Sequence, residues 1–233
     1  MPYIYGRIRT MYLGSNFHHF WARCGGRALH PDDEYVLGRQ TLFTKEVLPC
    51  PFDGPLETAR VIICLANPSY EKVEDKVGLN QQILAMRSGE EKLPNLFMDF
   101  YRRITGPIDL AEECMRKLVA VVNVCPYGSA NMDEGMASLA AGLPSVWQAQ
   151  QYLRDVLIPR AQTGNIYLLM LRKHQLWGVT KGLEQDGNFR VVRGRERNGV
   201  MSSALGQEIR NWLIHKGHIT NQDGCESRGN ENS

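Results

Sequence analysis

Four short and almost uninterrupted apolar runs are the feature that most constrains the fold of this chain. They are rich in β-branched residues and lie at residues 61–66 (VIICLA), 118–124 (LVAVVNV), 165–171 (NIYLLML) and 189–192 (FRVV). Runs of this length and composition are typical of strands that are buried on both faces, as in a parallel sheet covered by helices. We therefore expect a parallel sheet of four strands at the centre of the fold.

The segments between these runs carry helical patterns. We predict helices over residues 79–87, 94–103, 109–117, 145–157, 173–183 and 203–216. The last of them has Ser202 or Ser203 as its N-cap and places Leu205, Ile209, Trp212 and Leu213 on one face. Strands that alternate with helices predict an α/β fold, here a three-layer sandwich with right-handed crossovers and helices on both faces of the four-stranded parallel sheet. Ligands bind such sheets at the carboxyl ends of the strands.

The length of 233 residues suits one compact domain, which we place at residues 1–218. Within it, residues 1–58 show no sustained period and are interrupted by Gly and Pro, so we expect an irregular N-terminal cap. Residues 219–233 are polar and aperiodic, which predicts a disordered tail.

Composition narrows the class of protein. Hydrophobic residues make up 43% and charged residues 22%, and the net charge of +2 indicates no polyanion partner by itself. The six cysteines have no metal-site spacing, so we expect neither a metal nor another cofactor, and Cys64 and Cys125 are interpreted as small buried hydrophobes. Without a signal peptide or an apolar run of membrane-spanning length, we expect a cytoplasmic monomer with no membrane partner.

Two asparagines lie at the ends of the first two predicted strands. Asn67 follows the first strand and precedes Pro68, which cannot continue a strand ladder, so its amide could hold a water or polarise a substrate atom. A simple Asn-Pro turn is the alternative. Asn123 interrupts the second run, where its amide could make a structural hydrogen bond or read the edge of a nucleobase.

An arginine-rich segment follows the fourth strand and leads into the last helix. Residues 190–206 contain Arg190, Arg193, Arg195 and Arg197, and residues 160–218 hold ten Lys and Arg against four Asp and Glu, a local charge of +6. Arginines before a helix that begins with serines suit a nucleic-acid backbone. A solvated loop with a run of charge is the alternative.

These three features, in this order, resemble the uracil-DNA glycosylase superfamily over residues 58–217. Asn67-Pro68-Ser69 is similar to the first motif of its mismatch-specific branches, and Asn123 matches the asparagine that reads the flipped base, with a strand like that of the thermophilic branch. Residues 199–205 stand where the family has a loop that grips phosphate. No histidine lies between residues 175 and 214, so a histidine that stabilises the leaving base is not carried over.

The resemblance implies a role for each candidate residue. Asn67 and Asn123 would be catalytic, the first holding the attacking water and the second the base, and Val200 or Met201 would fill the vacated base stack. The expected substrate contacts are Ala66, Pro68, Ser69, Tyr70, Tyr127 and Arg172, with the two tyrosines as stacking candidates. The expected DNA contacts are Arg193, Arg195, Arg197, Asn198, Val200, Met201, Ser202 and Ser203.

The implied activity is that of a monofunctional DNA glycosylase, which flips a pyrimidine out of DNA, hydrolyses its N-glycosidic bond and leaves an abasic site. Serine at position 69, where uracil-specific members have a tyrosine, predicts tolerance of C5-modified pyrimidines. Excision of glucosylated hydroxymethylcytosine in defence against phage would be consistent with this tolerance. The alternatives are a uracil or mismatch repair glycosylase, a non-catalytic DNA-binding module, and a nucleotide- or nucleoside-processing α/β enzyme.

Overall fold

The computed structural model describes residues 17–38, 42–43, 45–68, 74–87, 98–129, 132–171, 173–179, 188–192 and 201–221. The chain forms a mixed α/β fold, as expected, around one twisted sheet. Its strands are β1 (Phe52–Asp53), β2 (Val61–Leu65), β3 (Val119–Asn123), β4 (Tyr167–Met170) and β5 (Phe189–Val191).

Within these ranges the sheet has five strands, in the order β1-β3-β2-β4-β5. Strands β2 to β5 coincide with the four apolar runs and pair in parallel, whereas β1 pairs antiparallel with β3. The expectation of a four-stranded, wholly parallel sheet is therefore corrected. The additional strand, β1, is only two residues long, and the sequence around it lacks the apolar run that marks the other four strands.

The helices are α1 (residues 17–22), α2 (Glu34–Leu37), α3 (Lys76–Arg87), α4 (Met98–Thr105), α5 (Glu112–Leu118), α6 (Glu134–Ala141), α7 (Pro144–Tyr152), α8 (Ile158–Gln162) and α9 (Ser203–His215). Two short 3₁₀ turns occupy Pro31–Asp33 and Gly106–Ile108, and the π-helical segment Leu153–Leu157 joins α7 to α8. Pro159 explains this segment, because proline has no N–H and its ring clashes with the carbonyl group four residues earlier.

Both faces of the sheet are buried, as the continuous apolar runs predict. In β2, Ile62 and Cys64 belong to a core cluster that also contains residues of α1 and α6 to α8. Val61, Ile63 and Leu65 belong to a second cluster, which α5 and α9 cover from the other side. Cys64 and Cys125 are free, fully buried thiols, and burial raises the pKa of Cys125 to about 12.

Three local expectations differ from the structure. The described part of the expected cap, from residue 17 onward, contributes two helices and β1, and Phe17 and Trp21 lie in the core. The expected helix over 173–183 is a turn through residue 178, because Lys173 and Gly178 adopt positive φ angles of 50° and 69° that a right-handed helix does not allow. Ile219 packs in the core, so the folded chain continues past residue 218.

The helix α6 has no counterpart among the predicted helices. Gly135 and Gly142 weaken its helical signal, since glycine is a poor helix former. Its start is nevertheless well defined, because the side chain of Asp133 accepts a hydrogen bond from the backbone N–H of Met136 at 2.8 Å. An aspartate N-cap of this kind offsets the low helix propensity of the segment.

Candidate functional site

The carboxyl ends of β2 and β3 carry the two asparagines side by side. Leu65 and Asn123 are register partners, and the ladder continues because the N–H groups of Val124 and Cys125 donate to the carbonyls of Leu65 and Ala66. Asn67 lies two residues beyond Leu65. Strand rise and strand spacing then place the Cα atoms of Asn67 and Asn123 about 8 Å apart.

The carboxyl end of β2 is also the point at which the connections between strands change direction. From β2 the strand order runs through β3 on one side and through β4 on the other, so the loops after β2 and β4 diverge. Ligands of open α/β sheets bind in the crevice that such a divergence creates. Asn67 lies at this point, one strand away from Asn123.

Asn67 is half-buried, and its side-chain nitrogen is held from several sides. Nδ2 donates to Oγ of Ser129 at 2.9 Å, to the Pro68 carbonyl at 3.1 Å and to the Ser129 carbonyl at 3.4 Å. Within the described residues, none of its hydrogen bonds involves Oδ1. The amide therefore uses its donor side internally and retains its acceptor oxygen.

Asn123 also donates from its side-chain nitrogen, at a more buried position than Asn67. The residue is 4% exposed, and its Nδ2 donates to the Cys50 carbonyl at 3.0 Å. Its Oδ1 is buried and finds no hydrogen-bond partner in the described part of the chain. A buried acceptor without a partner carries a desolvation penalty of about 1–3 kcal/mol, which a ligand with an N–H or O–H group would relieve.

The two amides therefore share one chemical property. Each is anchored by its nitrogen to a different segment of the chain, and each retains a carbonyl oxygen that can accept a hydrogen bond. Such a pair suits a ligand that brings donors, such as a water molecule and the N–H group of a base. It does not suit a phosphate oxygen, which is itself an acceptor.

A buried carboxylate lies on the far side of β3. Asp53 of β1 is 2% exposed and is the register partner of Val121, two residues before Asn123. Two strand spacings, about 10 Å, separate β1 from β2, where Asn67 follows. Asp53 is thus too far from Asn67 to take a proton from a water molecule held there.

The expected substrate contacts are placed only in part. Ala66 and Pro68 are buried on either side of Asn67, and their carbonyls accept hydrogen bonds from Cys125 and Asn67. Three other residues lie outside the described residues, namely Ser69, Tyr70 and Arg172.

Tyr127 does not lie where a base could stack on it. It is 1% exposed, and its hydroxyl donates to Oδ2 of Asp33 at 2.6 Å and accepts from the N–H of His30 at 3.0 Å. Burial and the nearby Asp33 carboxylate raise the pKa of the Tyr127 hydroxyl. The expectation of a stacking role is corrected, because the ring has no accessible face and belongs to the hydrophobic core.

Most of the arginine-rich segment lies outside the described residues, including Arg193, Arg195, Arg197, Asn198 and Val200. Arg190 belongs to β5, and its Nη2 donates to Oε1 of Glu208 at 2.8 Å. Met201 is 2% exposed within the α9 face of the core, which does not suit the expected wedge in DNA.

The helix after this segment starts as the sequence predicts. The side chain of Ser202 accepts a hydrogen bond from the N–H of Leu205 at 3.3 Å, so Ser202 is the N-cap of α9. Ser203 is the exposed first residue of that helix.

Sequence reasoning missed the residues that hold the two asparagines. Ser129 and Cys50 supply the acceptors for Asn67 and Asn123, and Trp177 donates from Nε1 to the Leu65 carbonyl at 3.1 Å. A signal existed for Ser129 alone, since it ends the turn-rich Pro126–Ser129 segment directly after β3. All three contacts join residues that are far apart in the chain, 62, 73 and 112 residues respectively, so the pairings themselves leave no local pattern.

Within the described ranges, no group of three or more His, Cys, Asp or Glu residues could hold a metal ion. No helix in the same ranges is both long and apolar enough to cross a lipid bilayer. Comparison of the chain with family models, with curated proteins and with solved structures found no match.

Proposed function

We propose that this protein is a monofunctional DNA glycosylase that hydrolyses the N-glycosidic bond of a pyrimidine flipped out of DNA. One observation carries the proposal: two side-chain amides at the carboxyl ends of paired strands are both anchored by nitrogen, and among the described residues neither carbonyl oxygen has a hydrogen-bond partner. Hydrolysis of the N-glycosidic bond uses one acceptor to orient the attacking water, and recognition of an N–H group of the base uses another. The pair of asparagines supplies both.

In the proposed reaction, Asn67 Oδ1 accepts a hydrogen bond from a water molecule and orients it toward C1′ of the flipped nucleotide. The water oxygen forms a bond to C1′ while the bond from C1′ to the base nitrogen breaks, and the base leaves with the bonding electron pair. The transition state has oxocarbenium character. A neutral amide cannot take a proton at pH 7, so Asn67 contributes orientation. The water loses its proton after C1′ has gained cationic character, and that proton passes through solvent to the departed base anion, which leaves a neutral base and a hydroxyl group on C1′.

Asn123 Oδ1 receives an N–H group of the base in this proposal. Its burial makes the hydrogen bond strong, because little water competes for the oxygen. The leaving base gains negative charge, which needs a donor, and Arg172 is the proposed residue for this role because it follows the neighbouring strand β4.

The proposed substrate class is a C5-modified pyrimidine. Ser69 follows Pro68 where a bulky ring would limit substituents at C5, and glucosylated hydroxymethylcytosine of phage DNA is the largest candidate. A uracil or mismatch repair substrate is the narrower alternative. The arginines at 193, 195 and 197 would hold the phosphate backbone, and the product is an intact abasic site.

Base release tests the proposal directly. Purified protein is incubated with duplexes that contain uracil, a mismatch, 5-hydroxymethylcytosine or its glucosylated form. Released bases are identified by mass spectrometry and abasic sites by alkaline cleavage. We expect release of a C5-modified base, and a loss of at least 100-fold in Asn67→Ala, since positioning of a reactant contributes several kcal/mol to a rate.

The matched control is Asn165→Ala. Asn165 is an exposed asparagine that lies just before β4, at the amino-terminal ends of the parallel strands and away from the site. Its removal should therefore leave base release unchanged. Release of plain uracil alone would contradict the substrate class. No release from any duplex, together with salt-dependent DNA binding that Asn67→Ala leaves intact, would replace the enzyme by a DNA-binding module.

A further inference from the structure

Ser129 holds Asn67 in one of two amide orientations. The oxygen and nitrogen of an asparagine amide have nearly the same shape, so rotation by half a turn about the last side-chain bond exchanges them at little steric cost. The backbone carbonyls of Pro68 and Ser129, 3.1 and 3.4 Å from Nδ2 of Asn67, can only accept, so they select the orientation that turns the nitrogen toward them. Oγ of Ser129, at 2.9 Å from Nδ2, makes the shortest of the three contacts and holds the amide in place. Exchange of the amide would bring its carbonyl oxygen against the two backbone carbonyl oxygens, which repel it.

We propose that Ser129 is a positioning residue that aims the Asn67 carbonyl oxygen at the nucleophilic water. The inference rests on the proposed function, because it gives that oxygen a reactant to hold. Ser129 comes from the loop after β3, so the same segment that carries Asn123 also sets the orientation of Asn67. One stretch of chain, residues 123–129, thereby supplies Asn123 and holds Asn67.

Removal of the Ser129 hydroxyl should loosen the amide while leaving its orientation unchanged. In Ser129→Ala, the carbonyls of Pro68 and Ser129 still accept from Nδ2, at 3.1 and 3.4 Å. We expect kcat for base release to fall about fivefold, the equivalent of one neutral hydrogen bond, while KM stays within about twofold. Ser129→Thr retains the hydroxyl and should restore most of kcat.

A double-mutant cycle separates positioning from a general structural effect. In the Asn67→Ala background, Ser129→Ala should cause no further loss, because there is no amide left to orient. An equal fivefold loss in both backgrounds would overturn the proposal, as would a change confined to KM.

A second measurement does not depend on turnover. The Asn67 side-chain amide is assigned in an NMR spectrum by the pair of signals that Asn67→Ala removes, and its hydrogen exchange is compared in the wild-type, Ser129→Ala and Ser129→Thr proteins. We expect exchange to accelerate about fivefold in Ser129→Ala only. Unchanged exchange overturns the anchoring. Accelerated exchange without base release from any protein supports the anchoring and contradicts the glycosylase function instead.

Discussion

Tyr127→Phe distinguishes a structural tyrosine from one that stacks on a base. The substitution keeps the ring, which packs in the core, and removes only the hydroxyl that links Asp33 to the backbone N–H of His30. Asp33 in turn accepts from the N–H of Ser145 at the start of α7, so the hydroxyl belongs to a buried link between distant segments.

The magnitude follows from the two hydrogen bonds that are lost. A bond to a charged acceptor contributes about 1.5–3 kcal/mol and a neutral one about 1 kcal/mol, and both remaining groups stay buried. We expect the free energy of unfolding to fall by about 3 kcal/mol. For a chain of 233 residues, this corresponds to a Tm lower by about 6–12 °C.

Unfolding in guanidinium chloride, followed by tryptophan fluorescence, measures this change. Trp21 and Trp177 are buried and report on the core. Tyr35→Phe is the matched control, because Tyr35 is 99% exposed, and it should change the free energy of unfolding by less than about 0.5 kcal/mol. A Tyr127→Phe protein as stable as this control would refute the buried network.

Three further predictions concern the rest of the fold. Gly206→Ala should destabilise the protein by about 2 kcal/mol in chemical unfolding, because its Cβ would lie 2.3 Å from the Pro107 carbonyl group; an unchanged stability would contradict this close approach. Ser202→Ala should cost about 1 kcal/mol through loss of the α9 N-cap, and Ser202→Thr, which retains the hydroxyl, should cost less. Burial lowers the pKa of His30 below its ordinary value of 6.5, so its contribution to stability is complete above pH 6.5 and declines as pH falls toward the folded-state pKa. Unfolding curves at pH 5 and 7.5 should therefore show a smaller pH effect in His30→Gln than in the wild type, and an equal effect would contradict this assignment.

The sequence predicted the central strands well because a strand that is buried on both faces is a continuous apolar run. The runs around Ile63, Val121 and Leu169 contain no polar interruption until their ends, and each is a strand. The N-cap at Ser202 was also predictable from a local pattern, since a cap and its helix are adjacent in the chain. Edge strand β1 was not, because two residues carry no period.

The local sequence pattern is enough to predict that two asparagines end neighbouring buried strands. The orientation of their amides depends on the folded chain, since the partners Ser129 and Cys50 are 62 and 73 residues away from Asn67 and Asn123. The same is true of Tyr127, which lies in the core and donates to Asp33, 94 residues away, instead of lining the predicted site. A side chain's burial follows from the pattern of its neighbours along the chain, whereas its hydrogen-bond partner depends on which remote segment the fold brings beside it.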